Sequence, residues 1–311
     1  EIGSGLVGSE MCIRDSHPDA AEYISLAGQV NAYDYRIGSV AKVGGSYGML
    51  MTDILPARDD QGQVLLNYSD TRRAVYERRS GVVQELGDMQ PDFLGSMSTS
   101  LRWKNLSLHV GLDMRIGGLV AMYSNRYGSN AGWTKTSLKY RDAASGGLTW
   151  TSQYAGGSNG ITYEDGVILE GVFAPGTSAT GIDGKSHDIS GMTHQQAIDA
   201  GIIEPTHASA YHVFRNSWGE GVVNDDWVHE LSYIALRDIT LSYRMPKSIA
   251  SKIGAKGLNL SLAARNVGYI YNSLPNNVHP ESVRGNRSAE FRIRGYEPYI
   301  RNYTFTINAE F

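Results

Sequence analysis

The chain has 311 residues and a formal net charge of -4, from 28 Lys and Arg against 32 Asp and Glu. This balance excludes the basic surface of a nucleic-acid-binding protein, so no nucleic-acid partner is expected. The mean hydropathy of -0.30 and the lack of any run of about 20 apolar residues exclude a helical membrane protein. A transmembrane β-barrel stays compatible with both values, because only alternate residues of its strands are apolar.

Residues 1–16 (EIGSGLVGSEMCIRDS) have neither helical nor strand periodicity and resemble a translated sequencing-adapter read. We interpret them as an artefact and leave them out of fold reasoning, together with Cys12, the single cysteine. No basic start followed by an apolar core opens the chain, so no secretory signal is recognised. We therefore expect residues 17–311 to be a fragment of a longer protein.

The next segment, up to about residue 67, is broken by glycines and predicts strands near 47–56 and 62–67. The turn between these strands contains Asp59 and Asp60, but it lacks the regular ligand spacing of a calcium loop. We interpret it as a solvated turn.

A hairpin is predicted over residues 97–115, with Lys104 and Asn105 as a two-residue turn. Its second strand has about ten residues, the length that a tilted strand needs to cross a bilayer. We expect the apolar set to face outward and the polar set inward. The apolar set is Met97, Thr99, Leu101, Trp103, Leu106, Leu108, Val110, Leu112 and Met114; the polar set includes Arg102, His109, Asp113 and Arg115.

Residues 117–230 read as a long irregular stretch rich in Gly, Ser, Asn and aromatic residues. Within it, residues 193–201 predict a short helix with Thr193 as its N-cap and Gly201 as its end. Strand character returns at 233–243. One or two helical turns follow, with Pro246 at the first helical position and Gly254 as the stop. A further strand is expected over 258–267, and a second loop covers about 269–298.

The terminal strand alternates strictly, with Tyr303, Phe305, Ile307, Ala309 and Phe311 on one face and only polar side chains on the other. The links at 104–105 and 244–257 are short, whereas those at 117–230 and 269–298 are long. Outer-membrane barrels sort their connections in this way, with short periplasmic turns and long extracellular loops. The predicted fold class is therefore all-β: the C-terminal part of a transmembrane antiparallel β-barrel with long extracellular loops. The alternative is a soluble β-rich surface binding domain.

Several motifs occur in one order along the chain and resemble those of the SusC/RagA family of TonB-dependent outer-membrane transporters. The resemblance departs from the family at Ala235, which replaces a bulkier residue, and at His279, which stands in an Asp position. The motifs are Leu86–Phe93 with Trp103–Leu108, Ser232–Pro246, Arg265–Val267, His279–Glu281, and Arg301–Phe305 with Phe311.

The resemblance implies that residues 17–311 are part of a TonB-dependent receptor barrel whose plug domain is absent from this chain. It further implies import of oligosaccharides or peptides across the bacterial outer membrane. The implied partners are outer-membrane lipid, a SusD-like surface lipoprotein acting as lid, and the TonB complex, which would act through the missing N-terminal part. They also include the barrel assembly machinery, for which Tyr303, Phe305 and Phe311 would form a C-terminal assembly signal. The alternative, that Phe311 only anchors the strand at the periplasmic interface of the membrane, stays open.

Aromatic residues of the long loop are the candidate substrate or lid contacts, because their flat apolar faces suit sugar rings and peptide side chains. A loop that packs its own aromatics is the alternative. The candidates are Trp133, Tyr140, Trp150, Tyr154, Tyr163 and Trp218.

No spacing of residues predicts catalysis. His187, His194, His207 and His212 have no zinc-site spacing and no nearby cysteine. The glycine-rich run at 157–160 is not followed by the Lys-Ser/Thr of a phosphate loop, and there is no nucleophile-elbow pattern. We expect no enzyme activity, no metal and no cofactor.

Overall fold

The computed structural model describes residues 23–28, 30, 36–42, 44–69, 71–78, 82–155, 158–216, 223–283, 289–295 and 298–311. The described chain is mostly β-strand with a few short helices, so the predicted all-β class is confirmed. It divides into two compact units. Unit 1 takes its described residues from Glu1–Gly87, Ala121–Val228 and Gly285–Arg292; unit 2 takes them from Asp88–Val120, His229–Arg284 and Ile293–Phe311.

The strands of the described residues run in chain order as follows: β1 (Tyr23–Gly28), β2 (Ile37–Lys42), β3 (Tyr47–Thr52), β4 (Leu65–Ser69), β5 (Arg73–Tyr76), β6 (Gln84–Asp88), β7 (Phe93–Trp103), β8 (Leu106–Ile116), β9 (Leu119–Ala121), β10 (Leu148–Thr151), β11 (Thr162–Val167), β12 (Val172–Phe173), β13 (Ser178–Thr180), β14 (Ser186–Asp188), β15 (Thr206–His207), β16 (Val228–Glu230), β17 (Tyr233–Arg244), β18 (Gly257–Asn272) and β19 (Asn302–Glu310).

The α-helices are α1 (Tyr123–Asn130), α2 (His194–Asp199), α3 (Ala208–Asn216) and α4 (Lys247–Ala250). No helix in the described ranges is both long and apolar enough to cross a membrane.

Unit 1 is built from small sheets around its own apolar core. Its sheets include those with the strand orders β1-β2-β3-β6, β12-β4-β5, β10-β11-β15 and β13-β14. The prediction of an irregular stretch at 117–230 is wrong in its secondary structure, because short strands and helices of this region bury their apolar side chains together. The core residues are Leu66, Ala74, Val167, Leu169, Phe173, Ala179, Ile189, Ala197, Ile203 and Ala208.

Helix α2 begins and ends as its sequence predicts. The Thr193 hydroxyl accepts a hydrogen bond from the Gln196 amide, and the Gln196 side chain accepts one from the Thr193 amide, which is a complete capping box. Gly201 lies just beyond the helix with φ +67°, the left-handed conformation that favours glycine. The helix therefore has its own start and stop signals.

Unit 2 contains an antiparallel five-stranded sheet of order β19-β18-β17-β8-β7. The predicted hairpin is confirmed, since β7 and β8 pair from Trp103 opposite Leu106 to Phe93 opposite Ile116. Strand β18 extends to Asn272, five residues beyond its predicted end, because its upper part pairs with β17. Pro246 lies at the N-cap of α4 rather than at its first position, and Gly254 ends the following turn with φ +78°.

The five-stranded sheet does not close on itself within the described residues. Its outer strands are β7 and β19, and each pairs with a single described neighbour. An open antiparallel sheet presents unpaired backbone groups along both outer strands. The sheet thus has two free edges and two faces, and its faces differ in chemistry.

Candidate functional site

One face of the five-stranded sheet is apolar across its full width. Leu101, Leu108, Leu241, Leu262 and Phe305 lie in one row of mutually paired residues, one from each strand. Leu101 and Phe305 are each 62% exposed. The adjacent row on the same face is Trp103, Leu106, Tyr243, Leu260 and Ile307.

The opposite face is polar in the same register. Arg102, Ser107, Ser242, Ser261 and Thr306 form the row between the two apolar rows, and Ser100, His109, Thr240, Ala263 and Thr304 form the next row of this face. His109 Nδ1 lies 2.9 Å from the Ser100 hydroxyl, and His109 Nε2 lies 3.2 Å from the Asp238 carboxylate. The alternation predicted for β8 is confirmed, because its charged residues share this face and its leucines share the other.

A concave surface of about 460 Å³ lies at the end of the sheet where the short connections are. It is on the polar face, and its lining combines charged groups of both signs with amides and hydroxyls. The lining residues that carry charge are Arg102, Arg244 and Glu310, with Asn105, Asn259 and Asn308 among the polar ones.

At the other end of the polar face, Arg237 joins two acidic groups. Its Nε donates to Asp113 at 2.5 Å, and its two terminal nitrogens donate to Glu281 at 2.8 and 2.6 Å. Arg237 is an extra residue in β17. Leu236 pairs with Leu112 and Asp238 pairs with Gly111, so no residue of β8 lies opposite Arg237, which forms a β-bulge. The bulge places the guanidinium on the polar face.

Glu281 also ties the segment after β18 to the sheet. It accepts a hydrogen bond from the Tyr269 hydroxyl at 2.7 Å, and the Tyr269 ring lies 5.2 Å from the Tyr299 ring. Partial burial opposes ionisation of Glu281, but the hydrogen bonds from Arg237 and Tyr269 outweigh it and hold the pKa of its carboxyl below the ordinary value. His279, the departure from the family motif, contacts the Tyr269 hydroxyl through Nδ1 at 3.0 Å.

Two of the predicted aromatic contacts come together in unit 1. Trp150 stacks on Tyr163 with 5.0 Å between ring centroids, and His207 lies against both rings. Asp165 hydrogen bonds to His207 Nδ1 at 3.1 Å and so orients the imidazole. We name Trp150, Tyr163 and His207 the aromatic cluster.

Two other candidates are engaged in packing. The Tyr154 hydroxyl bonds to the Tyr68 hydroxyl at 2.8 Å, and Arg72 lies 4.6 Å above the Tyr154 ring. Burial is the main cause that raises the pKa of Tyr154. Tyr140 packs edge-on against Tyr211 at 5.6 Å. Their positions in unit 1 fit the alternative of a segment that packs its own aromatics.

Trp133 is 85% exposed, and Trp218 lies outside the described residues. Of the five candidates that the structure describes, Trp150 and Tyr163 stack on each other, and contact of any of the six with a substrate or lid stays a prediction. Sequence reasoning did not find His207, Arg237 or Glu281 as parts of a cluster. The signal for Arg237 was its position in an otherwise alternating strand.

The candidate assembly residues lie on β19 and just beyond it. Tyr303 and Phe305 belong to the apolar face, and Phe311 is 73% exposed. The Phe311 carbonyl accepts a hydrogen bond from Lys256 Nζ at 2.9 Å. Their role as a signal stays a prediction.

Among the described residues, no three His, Cys, Asp or Glu side chains come together in a way that could hold a metal ion. His187 pairs with Asp183 at 2.8 Å, and His194 is fully buried.

The fold is similar to parts of three solved structures. These are the RagAB peptide importer in the closed-closed state (14% identity, 93% of this chain and 25% of that chain, TM-score 0.47), the RagAB peptide transporter (14%, 94% and 24%, 0.47) and the importer in the open-open state (14%, 88% and 23%, 0.41). The chain spans about a quarter of the length of those chains. No family model matches the chain, and no curated protein matches it in sequence.

Proposed function

We propose that the five-stranded sheet is part of the wall of a transmembrane β-barrel in the bacterial outer membrane, and that the chain takes part in TonB-dependent nutrient import. The observation that carries the proposal is the apolar face, which extends across all five strands while the charged residues of the sheet lie on the opposite face. Large contiguous apolar surfaces mark contact with a partner or a membrane.

The lengths of the strands support lipid as that contact. Strands β7 and β8 have 11 residues each and β17 has 12. A tilted strand needs about 9–11 residues to cross the hydrocarbon layer. In this orientation the leucines face lipid and His109, Asp113 and Asp238 face a watery interior, which is the arrangement that a barrel wall requires.

The free edges of β7 and β19 complete this part of the proposal. A membrane leaves no backbone donor or acceptor unpaired, so both edges pair with further strands of the same barrel. Strand β7 offers 11 residues for that pairing and β19 offers 9.

The motif resemblance supports the remaining parts of the proposal. The partners are a SusD-like surface lipoprotein, the TonB complex, and an assembly machinery that reads Tyr303, Phe305 and Phe311. The imported substrate is an oligosaccharide or a peptide, and the aromatic cluster contacts it. The chain binds and conducts this substrate and carries out no chemical reaction on it.

Spin labels on two adjacent residues test the orientation of the sheet. Leu241→Cys and Thr240→Cys are placed singly in the full-length protein, and the protein is reconstituted in phospholipid vesicles. Leu241 belongs to the apolar face and Thr240 to the polar face, so each variant is the matched control of the other.

We expect the label at 241 to collide with oxygen, which concentrates in lipid, and the label at 240 to collide with a water-soluble nickel complex. If the nickel complex reaches both labels equally, the sheet does not face lipid and the proposal is overturned. A protein that stays monomeric and folded in buffer without detergent supports the soluble surface domain instead.

A further inference from the structure

An aromatic residue that a lysine contacts lies at the end of β7 and just beyond the end of β19, the two outer strands of the five-stranded sheet. At the end of β7, Lys104 Nζ lies 5.1 Å from the centroid of the Trp103 indole. Beyond β19, Lys256 Nζ donates to the Phe311 carbonyl at 2.9 Å. Trp103 belongs to the apolar face and is 69% exposed, so Lys104 lies at the border of that face.

The short connections at this end of the sheet carry positive charge only. Residues 104–105 and 245–256 contain Lys104, Lys247, Lys252 and Lys256, and neither segment contains Asp or Glu. All four lysines are exposed. Glu310, the acidic residue of the adjoining strand end, lines the concave surface of the polar face instead.

The longer connection also exposes apolar side chains beside its lysines. Ile249 is 42% exposed and Ile253 is 56% exposed, four residues apart in the turn that includes α4. A short segment that alternates exposed lysines with exposed isoleucines is suited to the boundary between headgroups and acyl chains. In a turn that is surrounded only by water, exposure of the two isoleucines would stabilise nothing.

We propose that this end of the sheet binds the headgroup phosphates of anionic phospholipids, through Lys104, Lys247, Lys252 and Lys256. The proposal rests on the lipid-facing orientation proposed above and names a lipid class for it. Aromatic rings settle at the level of the headgroups, and lysine stems lie along apolar surface while the ammonium groups reach the phosphates. The Trp103–Lys104 and Phe311–Lys256 pairs place both groups together at each outer strand.

Fluorescence quenching by brominated lipids tests the proposal at each outer strand. The full-length protein is reconstituted in phosphatidylcholine vesicles that contain phosphatidylglycerol, with either lipid brominated in turn. The emission of Trp103, taken as the difference from Trp103→Phe, reports lipid beside Lys104. Phe311→Trp in the Trp103→Phe background reports lipid beside Lys256.

We expect phosphatidylglycerol to be preferred over phosphatidylcholine by about fivefold at each probe, since a lysine near an anionic surface contributes about 1 kcal/mol. Lys104→Gln should abolish the preference at the Trp103 probe and leave it at the Phe311→Trp probe. Lys256→Gln should do the reverse. Lys135→Gln in unit 1 is the control, and both preferences should survive it.

The failures of the two proposals are distinguishable. Equal quenching by the two brominated lipids, unchanged by Lys104→Gln and Lys256→Gln, overturns the phosphate proposal and leaves the lipid-facing sheet intact. Absence of quenching by either lipid at both probes overturns the lipid-facing sheet, and the phosphate proposal with it.

Discussion

Arg237 and Glu281 form a bidentate ion pair, with Nη1 at 2.8 Å from Oε2 and Nη2 at 2.6 Å from Oε1. The pair joins a bulge in strand β17 to the segment that follows β18, 44 residues further along the chain. Two parallel hydrogen bonds between a guanidinium and a carboxylate fix orientation as well as distance. The pair therefore holds the start of a long connection at one end of the sheet.

Glu281→Gln should loosen residues 273–283 without unfolding the sheet. The substitution keeps the size of the side chain but removes the charge that Arg237 and the Tyr269 hydroxyl contact. Because both members of the pair are partly exposed, we expect a loss of about 1 kcal/mol in local opening free energy. Hydrogen exchange of residues 273–283 measures it. Glu164→Gln, at an exposed position of strand β11, is the control, and equal exchange in both variants would contradict the prediction.

The same contact should fail in acid. The folded-state pKa of Glu281 is lower than its ordinary value, so the ionised form stabilises the folded state above that ordinary value. The contribution declines as the pH falls below about 4.5 and is lost once the pH passes the folded-state pKa. Exchange of residues 273–283 should rise over this range in the unaltered protein. In Glu281→Gln it should show no such rise.

His194 should make unit 1 sensitive to a different pH range. Burial lowers the pKa of His194 to about 4, and its Nδ1 accepts a hydrogen bond from the Leu169 amide at 3.0 Å. Below pH 6.5 His194 binds a proton in the unfolded state but stays neutral in the folded state. The free energy of unfolding therefore falls between about pH 6.5 and pH 4, by up to about 3 kcal/mol. Proteolysis of residues 158–216 should accelerate across that range. A His194→Gln variant that kept the same pH slope would contradict this assignment.

Gly171→Ala should destabilise unit 1 more than Gly176→Ala does. A Cβ at Gly171, where φ is +138°, would lie 2.4 Å from the Val64 carbonyl oxygen, which is backbone and has no rotamer to change. At Gly176, where φ is +82°, a Cβ would meet nothing within 4 Å. Gly176→Ala should lower the free energy of unfolding only through the left-handed backbone, by about 1 kcal/mol. Gly171→Ala should lower it by about 1–3 kcal/mol more, because of the strain of the clash. Denaturant titration of the protease resistance of residues 158–216 compares them, and equal midpoints would refute the expected clash.

Trp150→Ala should weaken substrate binding if the aromatic cluster is a contact surface. The substitution removes the ring that stacks on Tyr163 and lies against His207. Loss of such a ring should lower affinity several-fold, about 1 kcal/mol, for mixed peptides or for mixed oligosaccharides. Trp133→Ala, which removes an indole that is 85% exposed, should have the smaller effect. Equal affinity of Trp150→Ala and the unaltered protein would remove the cluster from the candidate site.

Sequence alone predicted the five strands of this sheet, because each strand has a recognisable period of two. Around Leu101, Leu108, Leu241 and Phe305, each in its own strand, every second residue is mostly apolar and the residues between are mostly polar. The two-residue turn at Lys104 and Asn105 fixed the register of the first hairpin. The core of unit 1 was missed for a physical reason. Strands such as β12 and β15 have two residues each, so they carry no period, and Phe173 and Ile189 meet only through the tertiary fold.

The pairing of the aromatic candidates lay equally beyond the sequence. Trp150 and Tyr163 are on neighbouring strands β10 and β11, and a register shift between Leu148 and Trp150 decides that the two rings meet. His207 arrives from β15, more than forty residues later in the chain. Residue type predicted which rings were available for contact, and strand pairing selected which of them came together.

The bulge at Arg237 shifts the alternation of side chains in strand β17 by one residue. After the bulge in chain order, the residues on the apolar face are Ile239, Leu241 and Tyr243. Before the bulge they are Ile234 and Leu236, so the residues of the apolar face change from even to odd numbers at Arg237. Without that shift Arg237 would share the face of Leu241. Losing one residue at the bulge would restore strict alternation, whereas inserting or losing one elsewhere in the strand would turn over every side chain beyond it. Over evolutionary time, such strands can change length by pairs of residues, and by single residues only where a bulge absorbs them.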